Sequence, residues 1–200
     1  MVKRLVSRQK EDRREELESN GKIGGITMMF TTHVALAVLI FYLIAYTGLL
    51  QPYTMLLIVV IIGSLLPDID HPQSYISSRN DFTRFLSGTL TKELTTHRSH
   101  FHTIYAAVGF AVLTIIVWLV FDISNIIHPL LAAFGMFLGY TAHLLGDAMT
   151  SSGIYWLGKG KEKYHFMKRG FIRTGSRSET VLQYLFFIAV ALLFLKVGLV

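Results

Sequence analysis

The stretch Ile126–Met149, IIHPLLAAFGMFLGYTAHLLGDAM, decides how the rest of the chain is read. It is 24 residues long, and at 1.5 Å per helical residue it exceeds the ~20 residues needed to cross a ~30 Å hydrocarbon core. Its acidic, basic and imidazole side chains sit only at its ends, His128 at one and His143 with Asp147 at the other. Ionisable groups are costly inside a bilayer and are kept there mainly where they serve a site. The run therefore reads as a membrane span whose second end carries chemistry.

Four more apolar runs surround it. Phe30–Leu50 is long enough to cross, with His33 near its start, and Gln51-Pro52 turns the chain after it. Tyr53–Leu66 holds only 14 residues before Pro67, which fits a thin crossing or a partly inserted helix. Thr103–Phe121 and Val181–Val200 complete the set. The fold expected is an all-α, polytopic transmembrane bundle of about five spans, forming one membrane domain over residues 28–200. Residues 1–27 form a polar leader in which Lys and Arg alternate with Asp and Glu, as in a solvated segment. Its charged stretch is too long for a secretory signal.

Composition agrees with this reading. The chain is 52% hydrophobic and only 16% charged, against roughly 25% charged in soluble domains. The absence of cysteine excludes a disulfide framework and a thiolate zinc site. Any metal must be held by nitrogen and oxygen donors.

Five alternating spans place the leader, the 67–102 loop and the 150–180 loop on one membrane face. Of the 19 Lys and Arg, 18 fall in these three segments; Lys196 is the exception. The positive-inside rule puts that face in the cytoplasm of a cell membrane. Topology accounts for the net charge of +6, so no nucleic-acid partner is expected.

The residues capable of metal or acid–base chemistry gather on the same face. They are His33, then Asp68, Asp70 and His71, then His97, His100 and His102, then His143 and Asp147, and finally Glu179. His143 and Asp147, at i and i+4, share one side of a helix and offer two donors to one ion. The C-terminal ends of the second and fourth spans also point here, and their partial negative charge favours a cation. Each residue alone has a plainer reading: an interfacial histidine, a Pro-Asp turn, a solvent-facing loop imidazole. His128, on the opposite face, and His165, in a Lys-rich loop, read as structural. Convergence from five segments separates the others from these.

At these motifs the chain resembles the YdjM-type integral membrane proteins, usually described as membrane-bound, metal-dependent hydrolases. The matching pieces are Thr32-His33, LLPDIDHP at Leu65–Pro72, His97-Arg98 with His102-Thr103, and Gly139-Tyr140-x-x-His143-x-x-x-Asp147. The set covers about residues 29–200 and leaves the leader unassigned. It also looks like a reduced version of the zinc-dependent phospholipase C and single-strand nuclease fold. By that analogy Asp68 or Asp70, one of His97 and His102, His143 and a bridging Asp147 hold one metal, and His33 helps hold a second. The further His-x-x-x-Glu of those enzymes is missing here.

The resemblance implies a hydrolase with one or two divalent ions, most readily zinc. Ligands are expected among His33, Asp68, Asp70, His97, His102, His143 and Asp147. Whichever of Asp68 and Asp70 is not a ligand is expected to act as general base. Arg98, Arg173 and Arg177 are placed to neutralise a phosphate, and Glu179 is expected beside the substrate with Arg173 and Arg177. A phosphoester or ester, foremost a phospholipid, suits a site at the bilayer surface. The competing reading is a non-catalytic metal-binding or transport protein using the same cluster; ionisable residues deep in the spans, which transport would need, are nearly absent.

Overall fold

The computed structural model describes residues 30–68, 101–121, 127–150, 153–158, 164–165, 172 and 176–198. These form five helices in chain order: α1 (Phe30–Tyr46), α2 (Thr54–Leu65), α3 (Ile104–Phe121), α4 (Ile127–Met149) and α5 (Arg177–Val197). A 3₁₀ turn, Leu66–Asp68, continues α2. Among the described residues there is no strand, only isolated bridges pairing Thr150 with Ile172 and Ile154 with Tyr164. The regular structure of the described residues is all-helical.

Helix ends follow local chemistry. The first apolar run ends its helix at Tyr46, short of Leu50, because Thr47 and Gly48 turn back onto the carbonyls of Ile44 and Ala45. Gly48 takes φ 76° there, a left-handed conformation in which a Cβ would be strained. Pro129 stands in the first turn of α4, where its missing N–H costs nothing. The last helix begins at Arg177, ahead of Val181: Ser176 caps it by accepting from the Glu179 N–H. Ser176-x-x-Glu179 has the spacing of a capping box.

Two of the helices, His128–Met149 and Arg177–Val197, are long and apolar enough to cross a membrane; the other three are apolar but shorter. At 12 residues, α2 spans only ~18 Å. Val108, Val112, Ile116 and Val120 on α3, and Val181, Leu185, Ile188, Leu192 and Leu195 on α5, are exposed. An apolar surface so extensive marks a face that water does not cover.

Inside, α4 is the axis. Leu56 and Val60 of α2 pack with Ala37, Phe41 and Tyr42 of α1 and Ala142 of α4. On another side of α4, Tyr140, Leu144 and Ala148 pack with Ala107 of α3 and Ile154 of the following loop. The helices α2 and α4 meet main chain to main chain. A Cβ on Gly139 would lie 2.0 Å from the Val60 carbonyl oxygen, and one on Gly63 would lie 2.5 Å from that of Met136. Only glycine permits this approach, as in small-residue helix crossings within membranes. One helical turn beyond Gly139 comes His143, and another turn beyond it Asp147, so the crossing aims the end of α2 at both.

A candidate metal centre at one end of the bundle

Five side chains from four segments converge. His33 lies in the first turn of α1, Asp68 at the end of the turn that follows α2, and His102 just ahead of α3. His143 and Asp147 lie in the last two turns of α4. His102 is held from both sides. Thr103 accepts from the Ala106 N–H and so caps α3. The Tyr140 hydroxyl donates to the Phe101 carbonyl from a fully buried position.

The spacing of the donor atoms is informative. His102 Nε2 lies 3.5 Å from Asp68 Oδ1 and 3.5 Å from Asp147 Oδ2. His143 Nε2 lies 3.7 Å and 3.5 Å from the same two oxygens. Charge-assisted hydrogen bonds are shorter, ~2.7–2.9 Å. Four tetrahedral donors each ~2.0–2.2 Å from one ion are ~3.3–3.6 Å apart. Three of the four contacts fall in that range, and the fourth, His143 Nε2 to Asp68 Oδ1, lies just beyond it. His33 Nε2 approaches the other Asp147 oxygen, Oδ1, at 3.4 Å, and its ring stacks on that of His143 at 4.0 Å. Asp147 is thus placed to bridge two positions. Donor atoms of His33, His143 and Asp147 lie within 4.8 Å of one another, as do those of Asp68, His102 and His143.

The protonation of His143 sharpens the argument. Its Nδ1 is 2.8 Å from the Ser64 carbonyl oxygen. A carbonyl can only accept, so Nδ1 carries the proton and, in the neutral ring, Nε2 is a lone pair. That lone pair is buried, has no hydrogen-bond partner, and faces two carboxylates. A positive charge there resolves the conflict: a second proton on the ring in the metal-free protein, as the electrostatics of Asp68 require, or a metal ion in its place. A backbone carbonyl on the far nitrogen is also how metal-binding histidines are usually oriented. With neutral imidazoles the two carboxylates carry two negative charges, which one divalent ion balances.

Asp68, beyond the end of α2, is held down to about 2. Burial pushes its carboxyl up, but the charge of His143, the contact with His102 and the charge of His33 together overcome burial and the opposing Asp147 carboxylate. It is an ionised oxygen donor at any physiological pH.

The YdjM inner membrane protein model matches residues 28–198. The chain belongs to the YdjM inner membrane protein family. Two relatives, the inner membrane protein YdjM of Escherichia coli (strain K12) and that of Shigella flexneri, are each 35% identical over 94 residues. The aligned stretch covers 47% of this chain and 44% of each relative, so it spans less than half of their length. No solved structure matches. Like its YdjM relatives, the chain is a membrane protein whose partner is the lipid bilayer.

Of the residues singled out in the sequence, His33, Asp68, His102, His143 and Asp147 come together. Asp70, His71, His97, Arg98, His100 and Arg173, like the leader, lie outside the described residues. Glu179 is only 4% exposed and accepts from Thr32 at 3.3 Å, inside the bundle. Arg177 is exposed at the start of α5. His128 is exposed at the start of α4, while the ring of His165 sits over Gly153. The carbonyl of Ser64, the hydroxyl of Tyr140 and the bare Cα of Gly146 also shape the site. A Cβ on Gly146 would lie 2.5 Å from His33 Nδ1. Only Tyr140, within Gly-Tyr-x-x-His, carried any signal in the sequence.

Proposed function

We propose that this YdjM-family chain is a multi-pass, divalent-metal-dependent hydrolase acting on a phosphoester or ester at the cytoplasmic face of the membrane. The observation that carries the reading is His143 Nε2, oriented by Ser64 and aimed between the Asp68 and Asp147 carboxylates with His102 opposite. Asp68, His102, His143 and Asp147 would hold one ion, with zinc best suited to two nitrogens and two oxygens at this spacing. His33 and the second Asp147 oxygen would support a further ion. The chemistry a divalent ion supplies is Lewis acidity and a water acidified toward pH ~7.

The protein's own part is positioning and charge. With Asp68 among the donors, Asp70 is the carboxylate left to take a proton as general base. Arg98, Arg173 and Arg177 would bind the anionic group of the substrate. Five crossings put the N-terminal ends of α1, α3 and α5 and the C-terminal ends of α2 and α4 on one face with the basic loops, which the positive-inside rule assigns to the cytoplasm. A site at that depth suits an amphipathic substrate, foremost a phospholipid head group.

Metal content of detergent-purified protein, measured by mass spectrometry, tests the reading. One to two equivalents of zinc or another divalent ion are expected in wild type and none in His143→Ala or Asp147→Ala. Turnover of phosphodiester probes then follows the metal. A wild type that takes up neither zinc nor manganese would end the hydrolase reading. Bound metal without turnover on any ester would leave a metal-binding or transport protein.

A further inference from the structure

His33 presents a second problem that the metal site does not absorb. Its Nε2 faces Asp147, but its Nδ1 is buried without a hydrogen-bond partner in a residue only 4% exposed. A metal-binding histidine almost always passes its other ring N–H to a carboxylate, a carbonyl or a water. Beside the ring lies a cavity of about 20 Å³ lined by Thr32, His33, Gly146, Thr150 and Glu179 on its polar side. Leu182 and Phe186 of α5 form part of its apolar wall. One water needs ~10–15 Å³ of such space and two or more polar partners; the volume suffices for one, and the His33 ring and Glu179 are the candidate partners among its lining residues. Glu179, itself only 4% exposed, is the carboxylate on this cavity.

We propose that Glu179 is a positioning residue for the metal centre, holding His33 through one buried water that accepts from Nδ1–H and donates to the carboxylate. Two observations place it. The Thr32 hydroxyl, next in sequence to His33, donates to Glu179 Oε1 at 3.3 Å. Gln183, one turn along α5, donates to Thr31 at 2.8 Å. The start of α5 is thereby fastened to the start of α1 on the residues that flank the ring. Gly146 lets the imidazole lie close against α4, since a methyl group there would strike the ring. Glu179 thus orients a ligand from behind.

The inference rests on the metal reading above, and the test separates the two. Co²⁺ alone is titrated into the detergent-purified full chain, and affinity and the visible ligand-field spectrum are recorded. Glu179→Ala should weaken binding ~10–100-fold and alter the spectrum. Glu179→Gln, which keeps a hydrogen-bonding group, should lose less. Leu182→Phe, which fills the cavity and leaves the carboxylate in place, should reproduce Glu179→Ala. A role confined to helix packing would lower thermal stability and leave the spectrum unchanged, which would overturn the proposal. So would wild-type Co²⁺ affinity in Glu179→Ala, or weak binding in Glu179→Ala with normal binding in Leu182→Phe, which would remove the water. A wild type that binds no Co²⁺ overturns the metal reading itself, and this proposal with it.

Discussion

Replacing Gly139 by alanine should abolish divalent-metal binding at the proposed centre without altering any of its candidate ligands. The added Cβ would stand 2.0 Å from the Val60 carbonyl oxygen and 2.9 Å from the Ser64 nitrogen. Both are main-chain atoms, so no side chain can swing aside. Restoring an ordinary carbon–oxygen contact of ~3.3 Å requires α2 to retreat by roughly 1.3 Å at this point. Ser64 moves with it, and its 2.8 Å contact with His143 Nδ1 opens beyond hydrogen-bonding range. Asp68 sits one turn further along the same segment. Metal–ligand distances tolerate only ~0.2 Å, so the displacement is several times what the site can absorb. Overpacking of this kind costs about 1–3 kcal/mol of stability, and loss of the His143 support alone costs ~10–100-fold in affinity. Zinc competition in detergent, with thermal melting of the metal-free protein, measures both. Gly109→Ala is the control, because nothing lies within 4 Å of a Cβ there. Wild-type affinity in Gly139→Ala would refute the claim that the α2–α4 contact holds the site together.

Three further outcomes are expected. Tyr140→Phe removes one hydrogen bond to the Phe101 carbonyl, worth ~1 kcal/mol; it should weaken zinc about fivefold while leaving the melting temperature of the metal-free protein within a few degrees of wild type. In the metal-free protein Asp68 titrates at about 2, below the ~3.9 of an unfolded chain, so its stabilising contribution is complete above ~pH 4 and is lost as pH falls through 2. The gap in melting temperature between wild type and Asp68→Asn should accordingly hold from ~pH 4 up to the pH at which His143 loses the charge that pairs with Asp68, and close toward pH 2; a gap that persists unchanged to pH 2 would contradict this. Because the chain has no cysteine, single cysteines report topology cleanly. Gln51→Cys should react with an impermeant thiol reagent in intact cells, and Ser77→Cys only after permeabilisation.

Much of the architecture is visible in the residues because the bilayer imposes a length requirement that an apolar run either meets or fails. The run around His143 meets it, and alternation of the spans brings His33, His102, His143 and Asp147 to one end without any knowledge of packing. Hydropathy marks where lipid begins, though, and helices extend past it. Arg177 to Thr180 reads as loop by polarity, while the Ser176 cap shows that the helix has already started. This is why the burial of Glu179, in the first turn of that helix, could not be read from polarity. The glycines were harder still. What Gly63, Gly139 and Gly146 do depends on the atoms opposite them, and those belong to segments far away in sequence. The Ser64 carbonyl has no side-chain signature at all.

The backbone contact between α2 and α4 also bears on which ions the site can accept. Donors carried on flexible side chains adjust to ions of different radius by changing rotamer. Here the separation of Asp68 from His143 and Asp147 is inherited from two main chains already touching at Gly63 and Gly139. A calcium ion, with oxygens at ~2.3–2.6 Å and six to eight of them, would have to pry those helices apart and recruit more oxygen donors. A small ion content with four donors would not. Size discrimination in this protein would then be written in the crossing of two helices, at a distance from the donor atoms that carry it out.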